Sequence, residues 1–307
     1  MEKVAIIGAG NVGSSAAYIL LQRNLCDIVL LDIYKNIAMA KALDISHSKP
    51  IFGSESSMVG TDEYAEIEDA RIIAVCAGMA RKPGMSRADL FRQNAEIVKG
   101  VCKNIREHAP DAVVIMVTNP LDMMCIVAKN ALDFEKQRIV GMSGILDSAR
   151  FSYFISKELN ANIRNVEAMV IGEHGDGMVP LVSAAKVNGK PLTSLLPKEK
   201  ISEIVERTRN AGAEIVKLFG TGSAYYAPGA AVAHMIEAIL NDEKKLLPCS
   251  AYLEGEYGIS GIFLCVPVVL GRSGAEKIVE IAISDEEMEQ LKAAANGIKK
   301  KLSDFSA

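Results

Sequence analysis

The chain has 307 residues, of which 34 are basic and 38 are acidic, so its formal net charge is −4. Half of the residues are hydrophobic and 23% are charged, a composition typical of globular proteins that excludes a largely disordered chain. The length suggests two domains of about 150 residues each. Because a slightly acidic chain lacks the basic surface that phosphate backbones require, we expect no nucleic-acid partner.

Three features of the sequence bear on where the protein works. The first apolar run, Val4–Ile7, is too short for a signal peptide and leads directly into a glycine turn. The longest uncharged stretch, residues 218–236, contains three glycines and a proline, so we expect no membrane span there. No two cysteines form a CxxC pair, and Cys76, Cys125 and Cys265 lie inside apolar runs. We therefore expect buried reduced thiols, no metal site and a cytoplasmic protein.

Short apolar runs alternate with longer helical patterns through the first half of the chain. The predicted strands are rich in β-branched residues, as in strands buried on both faces of a parallel sheet. They are Val4–Ile7, Ile28–Leu31, Ile72–Cys76 and Val113–Val117. The segments long enough for crossover helices are Asn11–Arg23, Lys35–His47 and Arg87–His108. This βαβ alternation predicts a doubly wound parallel sheet, and thus an α/β fold.

The second half of the chain predicts a different arrangement of helices and strands. A helix is expected over Ile145–Leu159, followed by shorter strands and loops. Two later apolar runs are predicted to be antiparallel strands: Leu246–Leu253 and Ile262–Leu270. Residues 284–287 have a capping-box sequence followed by apolar residues at helical spacing, which predicts a final amphipathic helix. We therefore expect a first domain over residues 1–141 and an α+β second domain over residues 142–307.

The turn after the first predicted strand has the sequence Gly8-Ala9-Gly10-Asn11-Val12-Gly13. In a dinucleotide-binding turn the first glycine bends the chain, the second admits a pyrophosphate and the third permits close packing of helix and strand. Asp32 closes the second strand, where a carboxylate accepts hydrogen bonds from ribose hydroxyls and repels a 2′-phosphate. This pattern predicts NAD rather than NADP. Lys35 is the cation that could offset Asp32, and a purely structural turn is the alternative interpretation.

Polar residues in two further stretches point to a bound anion. Residues 78–87 follow a predicted strand and include Arg81 and Arg87, so this loop should face a ligand at the carboxyl ends of the strands. A solvated basic loop is the alternative. Asp147 and Arg150 are three residues apart in a predicted helix and therefore share one face. A simple ion pair within the helix is the alternative interpretation.

A histidine and an asparagine complete the candidate set. His174 lies in Gly172-Glu-His-Gly-Asp-Gly177, where the neighbouring glycines leave its ring accessible. Histidine exchanges protons readily near neutral pH, although a single loop histidine can also be an ordinary surface residue. Asn119 ends another apolar run and should face the same crevice as a polar anchor.

Taken together, these motifs resemble the lactate/malate dehydrogenase superfamily along essentially the whole chain. They are GAGNVG, the strand-end Asp32, RKPGMSR, VTNP, LDSAR and GEHGD. The resemblance implies a Rossmann-type first domain that binds NAD and an α+β second domain that binds a 2-hydroxy acid. It also implies a homo-oligomer, in which a tetramer is favoured over a dimer.

The resemblance assigns a role to each candidate residue. His174 is implied as the general acid/base and Asp147 as its orienting partner. Arg150 is expected to hold the C1 carboxylate of the substrate, and Arg87 to polarise the reacting carbonyl. Asn119 is expected to contact the substrate. The residues expected near the cofactor are Asn94, Val117 and Asn119.

Arg81 implies which 2-hydroxy acid is bound. Lactate enzymes of this family resemble one another in having glutamine there and malate enzymes in having arginine, because malate has a second carboxylate that needs its own cation. Ala224 stands where lactate enzymes have threonine, which leaves room for the longer acid. The chain resembles the lactate-dehydrogenase-like branch of the malate enzymes.

The reaction implied by this resemblance is reversible oxidation of (S)-malate to oxaloacetate with NAD. The alternatives are a lactate or broad 2-hydroxyacid dehydrogenase and, outside enzymes, a catalytically silent NAD-binding sensor with the same fold. The acid/base residue and the set of arginines favour the enzyme, because a sensor has no need of them.

Overall fold

The computed structural model describes residues 1–79 and 85–306, with only the backbone described at Arg87 and Ser306. The chain divides into two compact units. The first comprises residues 1–142, 225–245 and 270–276, and the second comprises the stretches between and after these. The expected domain limits, 1–141 and 142–307, stay a prediction.

Helices and parallel strands alternate through the first part of the chain. Helices α1 to α9 span, in chain order, Asn11–Gln22, Lys35–His47, Lys49–Phe52, Arg87–His108, Leu121–Leu132, Gly144–Leu159, Lys198–Phe219, Tyr226–Leu240 and Asp285–Ser306. Strands β1 to β14 span, in chain order, Lys3–Ile7, Asp27–Leu31, Met58–Thr61, Ile72–Val75, Val113–Met116, Ile139–Gly141, Val166–Glu167, Val170–Gly172, Met178–Pro180, Lys186–Val187, Lys190–Pro191, Lys245–Glu254, Ser260–Gly271 and Gly274–Ile278.

The first unit is built on a parallel sheet with the strand order β3-β2-β1-β4-β5-β6. Every residue of β4 and β5 is buried, because crossover helices leave such strands no solvent-facing side. The predicted doubly wound parallel sheet is confirmed. The strand order reverses between β1 and β4, and open α/β sheets bind ligands outside the carboxyl ends of their strands at such a switch point.

Two strands of this sheet are missed by a search for buried apolar runs. β3 lies at the edge of the sheet, where Val59 is 43% exposed and Gly60 interrupts the run. β6 is buried but has only three residues. An edge position and a short length each remove the long apolar pattern on which the prediction depends.

The second unit combines helices with antiparallel strands. β8 pairs with β13 and β9, and β10 pairs with β7 and β11, all antiparallel. The core between the helices is formed by buried side chains such as Phe151 and Ile155 of α6 and Ile201 and Ile204 of α7. The expectation of an α+β second part is confirmed, and both late apolar runs lie within strands, β12 and β13.

The C-terminal helix α9 begins at the predicted capping box. Ser284 Oγ accepts a hydrogen bond from the backbone N–H of Glu287 at 3.3 Å, and Glu287 Oε2 accepts from the backbone N–H of Ser284 at 2.8 Å. The same carboxylate accepts from the backbone N–H of Ser183 at 3.0 Å and from its hydroxyl at 2.5 Å. One buried carboxylate therefore both starts the helix and ties it to the segment that follows β9.

The cysteines are free thiols. The expected burial is confirmed for Cys125 and Cys265, whereas Cys76 is partly exposed. Burial raises the pKa of Cys102 and Cys249 to about 12, so these two thiols stay protonated and unreactive at neutral pH. Among the described residues, no helix has both the length and the apolar character needed to cross a membrane.

The Glu287 carboxylate yields a prediction about stability. Burial raises its pKa, but the hydrogen bonds from Ser183 and Ser284 outweigh burial and hold the pKa below its usual range. Because these charge-assisted bonds are lost in Glu287→Gln, we expect the free energy of unfolding at pH 7 to fall by about 1–2 kcal/mol. A depressed folded-state pKa contributes stability above the unfolded-state pKa of about 4.3, and this contribution is lost as the pH falls through the folded-state value.

Urea unfolding at several pH values measures this effect. The difference between wild type and Glu287→Gln should shrink below roughly pH 4, where the unfolded-state carboxyl group is protonated. Glu289→Gln is the control, since Glu289 is an exposed carboxylate in the same part of α9. Equal losses for the two variants at pH 7 would contradict the role assigned to Glu287.

Candidate active site

The glycine-rich turn after β1 is shaped by close contacts within the protein. Gly8 has a φ of +109°, and a Cβ at this residue would lie 2.7 Å from the backbone nitrogen of Ala77. A Cβ on Gly13 would lie 2.1 Å from the carbonyl oxygen of Gly8. A Cβ on Gly10, in contrast, would meet none of the described atoms within 4 Å. The chain itself requires Gly8 and Gly13, whereas Gly10 leaves room for a pyrophosphate to approach the backbone.

The N-terminus of α1 presents backbone N–H groups beside this turn. Its N-cap residue is Gly10, and among the described residues no side chain caps the helix. Asn11 is exposed and Val12 is partly buried at the start of the helix. Because the first N–H groups of a helix lack partners within it and the helix dipole is positive there, the turn and α1 together suit the phosphates of a dinucleotide.

Asp32 follows β2 directly and is bonded to the glycine-rich turn. Its Oδ2 accepts a hydrogen bond from the backbone N–H of Ala9 at 2.7 Å, and its Oδ1 accepts from that of Tyr34 at 3.0 Å. Each carboxylate oxygen can accept a further hydrogen bond, so ribose hydroxyls can still bind there. The carboxylate is thus held at the turn by the backbone.

Lys35, the cation that could offset Asp32, has acidic partners of its own. Its Nζ lies 3.0 Å from Oδ1 of Asp62 and 3.4 Å from Oε1 of Glu63. Hydrogen bonds to Asp62 and then Glu63 raise the pKa of Lys35. These two carboxylates compensate the charge of Lys35, which weakens the alternative that Lys35 offsets the charge of Asp32.

Asn94 joins the loop after β4 to the loop after β5. Its side chain is buried; Oδ1 accepts from the backbone N–H of Met79 at 2.8 Å, and Nδ2 donates to the carbonyl oxygen of Asn119 at 2.7 Å. The hydroxyl of Thr118 donates to the carbonyl oxygen of Ala77 at 2.6 Å. Both loops lie at the carboxyl ends of neighbouring strands, so Asn94 and Thr118 shape the crevice by holding its backbone.

In the second unit, a buried carboxylate joins two nitrogen-bearing side chains. Asp147 lies in the first turn of α6 and is only 1% exposed. Its Oδ2 lies 2.7 Å from Nδ1 of His174, and its Oδ1 accepts from Nη1 of Arg150 at 3.0 Å. A buried carboxylate needs such partners, because an unpaired charge away from water is costly. The structure therefore brings together His174, Asp147 and Arg150.

Tight packing at the start of α6 sets the position of Asp147. A Cβ on Gly144 would lie 2.4 Å from Sγ of Cys265 and 2.4 Å from the carbonyl oxygen of Val170, so only glycine fits. The hydroxyl of Ser148 accepts a hydrogen bond from the backbone N–H of Val170 at 2.8 Å. These contacts hold α6 against β8, the strand that leads to His174. Sequence reasoning assigns Ser148 no role, although it lies inside the LDSAR motif.

His174 lies in the loop that joins β8 to β9. Gly172 and Gly175 have φ values of +90° and +148°, which lets the chain turn sharply on both sides of the histidine. Its side chain is 16% exposed. Because Nδ1 is directed at Asp147, Nε2 is the ring nitrogen that can act on a substrate.

Of the remaining predicted site residues, some are described by the structure and others are not. Val117 and Asn119 follow β5, where Val117 is nearly buried and Asn119 is exposed. Arg81 lies outside the described residues. Arg87 begins α4, but its side chain also lies outside the described part of the chain. The roles of both arginines stay predictions.

Comparison with known proteins gives matches along nearly the whole chain. The malate dehydrogenase of Methanosarcina barkeri is 47% identical over 303 residues, which are 99% of each chain. That of Anoxybacillus flavithermus is 46% identical over 300 residues, 97% of this chain and 96% of the relative.

Solved structures with a similar backbone include both malate dehydrogenases and lactate dehydrogenases. The malate dehydrogenase of Picrophilus torridus has a TM-score of 0.96 and 42% identity, over 99% of this chain and 97% of that one. A lactate dehydrogenase of Cryptosporidium parvum, solved with lactic acid and nicotinamide adenine dinucleotide, also has a TM-score of 0.96, with 39% identity over 99% and 98% of the two chains.

Two family models match consecutive parts of the chain. Residues 2–141 match the lactate/malate dehydrogenase NAD binding domain, and residues 145–307 match the lactate/malate dehydrogenase alpha/beta C-terminal domain. This coverage agrees with the full-length relatives and with the site described above. The chain belongs to the lactate/malate dehydrogenase family.

Proposed function

We propose that this chain reversibly oxidises (S)-malate to oxaloacetate with NAD. One observation carries the proposal: the buried carboxylate of Asp147 is shared by His174 and Arg150, which places an acid/base next to an anion-binding group. The curated relatives of 46–47% identity are malate dehydrogenases. Arg81 supplies the additional cation that a dicarboxylate needs, and a silent sensor would require none of these groups.

His174 acts as general acid/base through Nε2. In its neutral form the proton is on Nδ1, which faces Asp147 at 2.7 Å, so Nε2 accepts the proton of the C2 hydroxyl as malate is oxidised. Asp147 keeps the ring oriented and stabilises the imidazolium that forms. When bound, NAD supplies the acceptor for the hydride that leaves C2.

The arginines divide the charges of the substrate among them. Arg150, held by Asp147 at 3.0 Å, binds the C1 carboxylate with its planar guanidinium group. Arg87 polarises the oxygen on C2, and its positive charge stabilises the negative charge that builds on this oxygen during reduction. Arg81 pairs with the C4 carboxylate, and Asn119 adds a polar contact to the substrate.

The cofactor is held by residues of the first predicted domain, 1–141. The turn formed by Gly8, Gly10, Asn11, Val12 and Gly13 binds the pyrophosphate through backbone N–H groups. Four further residues act beside it: Asp32 accepts from the adenosine ribose, and Asn94, Val117 and Asn119 form the nicotinamide side. The general acid/base, His174, and the residue that binds the C1 carboxylate, Arg150, belong to the second predicted domain, 142–307.

Lactate is the second candidate substrate, because the lactate dehydrogenase of Cryptosporidium parvum shares this backbone with a TM-score of 0.96. A backbone common to both enzymes leaves the choice of substrate to side chains. Pyruvate has a methyl group where oxaloacetate has a methylene group with its C4 carboxylate, so it would leave Arg81 without an anionic partner, and this disfavours it.

A substrate panel tests the proposed function. We expect oxaloacetate to be reduced with a kcat/KM about 100-fold or more above that of pyruvate, since only oxaloacetate pairs with Arg81. NADH should be preferred to NADPH because of Asp32. Arg81→Gln should shift the preference by about tenfold or more toward pyruvate, because it removes the extra cation.

Steady-state kinetics with both acids and both cofactors give these ratios. Arg92→Gln is the control, because Arg92 is an exposed arginine elsewhere on α4 and should leave the ratio of the two acids unchanged. Comparable kcat/KM values for oxaloacetate and pyruvate in the wild type would contradict the choice of malate. An unchanged ratio in Arg81→Gln would mean that another group binds the C4 carboxylate.

The pairing of Asp147 with His174 gives a second kinetic prediction. Asp147→Asn should lower kcat about 100-fold or more, because the amide stabilises the imidazolium poorly and can turn the ring into the wrong tautomer. Measured binding of NADH should change little. Glu167→Gln, which alters an exposed carboxylate of β7, serves as the control. A kcat within a few-fold of the wild type would remove Asp147 from the mechanism.

We further propose that the chain works in the cytoplasm as a homo-oligomer, with a tetramer favoured over a dimer. Support comes from large apolar side chains on α2, α3 and the segment before them: Leu43 is 60% exposed, Ile51 and Ile33 are each 81% exposed, and Met39 is also exposed. Apolar groups that a monomer leaves in water are commonly covered by another protein surface.

Sedimentation velocity tests the assembly. The wild type should sediment as a species heavier than a monomer, and Leu43→Glu should shift it toward smaller species, because a charge is costly inside an apolar interface. Lys103→Glu introduces the same charge at an exposed site on α4 and should leave the assembly intact. A monomeric wild type would refute the oligomer.

A further inference from the structure

An ion pair joins the residue before His174 to the C-terminal helix. Lys301 of α9 donates a hydrogen bond from Nζ to Oε1 of Glu173. The Glu173 side chain is 16% exposed and that of Lys301 is 32% exposed, so solvent and salt screen this pair only partly. The mechanism proposed above uses neither residue.

The side chain of Glu173 occupies a narrow space beside the loop. A Cβ on Gly177 would lie 2.9 Å from Oε2 and 3.0 Å from Cβ of Glu173, and 3.1 Å from Cβ of Ala294 on α9. Glycine at residue 177 thus keeps open the space in which Glu173 reaches toward α9. Gly177 is not among the glycines with a positive φ, so an alanine there would act by pressing on Glu173 and not by straining the backbone.

The loop that carries His174 is closed by its own backbone. The N–H of Glu173 donates to the carbonyl oxygen of Gly177 at 3.2 Å, and the N–H of Met178 donates to that of Gly175 at 3.3 Å. Because the loop is so short, a displacement of Glu173 carries His174 with it. Asp147 holds the imidazole ring from one side, and the Glu173–Lys301 pair holds the backbone next to it.

Helix α9 is itself fixed on the hairpin formed by β8 and β9. At its N-terminus, Glu287 is bonded to Ser183, the third residue after β9. The buried side chains of Leu291 and Ile298 line the helix between its two ends. Lys301 lies roughly four helical turns, or about 20 Å, beyond Glu287. The helix is therefore a fixed support that reaches the loop of His174 at Lys301.

We propose that Lys301 is a positioning residue for His174: its ion pair with Glu173 fixes the loop so that Nε2 meets the C2 hydroxyl at the distance that proton transfer needs. The inference rests on the proposed acid/base role of His174. A shift of about 1 Å in a reacting group can lower a rate by about 100-fold. The C1 carboxylate is bound by Arg150 of α6, outside this ion pair, so kcat should change more than KM.

Variants of the pair test the proposal. Lys301→Met and Glu173→Gln should each lower kcat for oxaloacetate reduction about tenfold, with KM within about twofold of the wild type. The double variant should be no slower than either single one, because both changes remove the same interaction. Lys301→Arg keeps the charge and should retain most of the activity. Lys300→Met is the matched control, since Lys300 is an exposed lysine directly before Lys301 in the helix.

A change without any loss of charge gives an independent test. In Gly177→Ala the new methyl group should displace Glu173 from Lys301, and kcat should again fall with KM little changed. Gly177→Ala also keeps the proposal testable if Lys301→Met does not fold. The proposal would be overturned if the kcat losses of Lys301→Met and Glu173→Gln multiplied in the double variant. It would also be overturned if Lys301→Met had the same kcat as Lys300→Met.

Hydrogen exchange separates this inference from the proposed function. The backbone amides of residues 173–178 should exchange faster in Lys301→Met than in the wild type or Lys300→Met, whether or not malate is the substrate. Unchanged exchange in this loop would overturn the proposal even in an active enzyme. A wild type that turns over neither malate nor lactate, with faster exchange in Lys301→Met, would refute the proposed function and leave the loop support in place.

Discussion

The buried carboxylate of Asp147 is the constraint on which the candidate site depends. At 1% exposure it cannot be solvated by water, so its charge must be balanced by protein groups. His174 and Arg150 both meet this need, and each is oriented by doing so. The hydrogen bond between Ser148 and Val170 then holds α6 at the strand that leads to the histidine. The requirement to pair one charge thus brings an imidazole and a guanidinium group together.

The first unit solves a different problem, which is to hold a doubly charged pyrophosphate in a chain whose net charge is −4. It offers the backbone N–H groups and the dipole of α1, because Gly10 leaves their approach open. The carboxylate of Asp32 is placed by bonds to the turn itself. Backbone groups at a strand-order switch point can therefore bind a pyrophosphate without a basic surface.

The match to both malate and lactate enzymes shows how the family divides its tasks. Backbones that superpose with a TM-score of 0.96 on enzymes of both names leave little for the fold to decide about substrate. Acid/base chemistry and the C1 carboxylate are common to any 2-hydroxy acid. Under the proposed function, specificity depends on the charge of a few side chains, and Arg81 is the residue predicted to pair with the second carboxylate of malate.

The sequence by itself determined the features that depend on neighbouring residues. Apolar runs predicted β1, β2, β4 and β5, and the capping-box spacing predicted the start of α9, because these patterns reflect local backbone geometry and burial. The short motifs that contain the glycines of the first turn, Asp147 and His174 are likewise visible in the sequence itself. The edge strand β3 was missed, because its half-exposed side chains form no continuous apolar run.

Only the tertiary structure decided which distant side chains meet. The family resemblance implied that Asp147 orients His174, and the structure shows the 2.7 Å contact between them. No motif indicated that Lys301 reaches Glu173 across 128 residues of sequence. The role of Ser148 likewise depends on which way its hydroxyl points from α6 toward Val170. No local pattern records such pairings, because the direction of a side chain and the packing of elements are fixed only when the whole chain has folded.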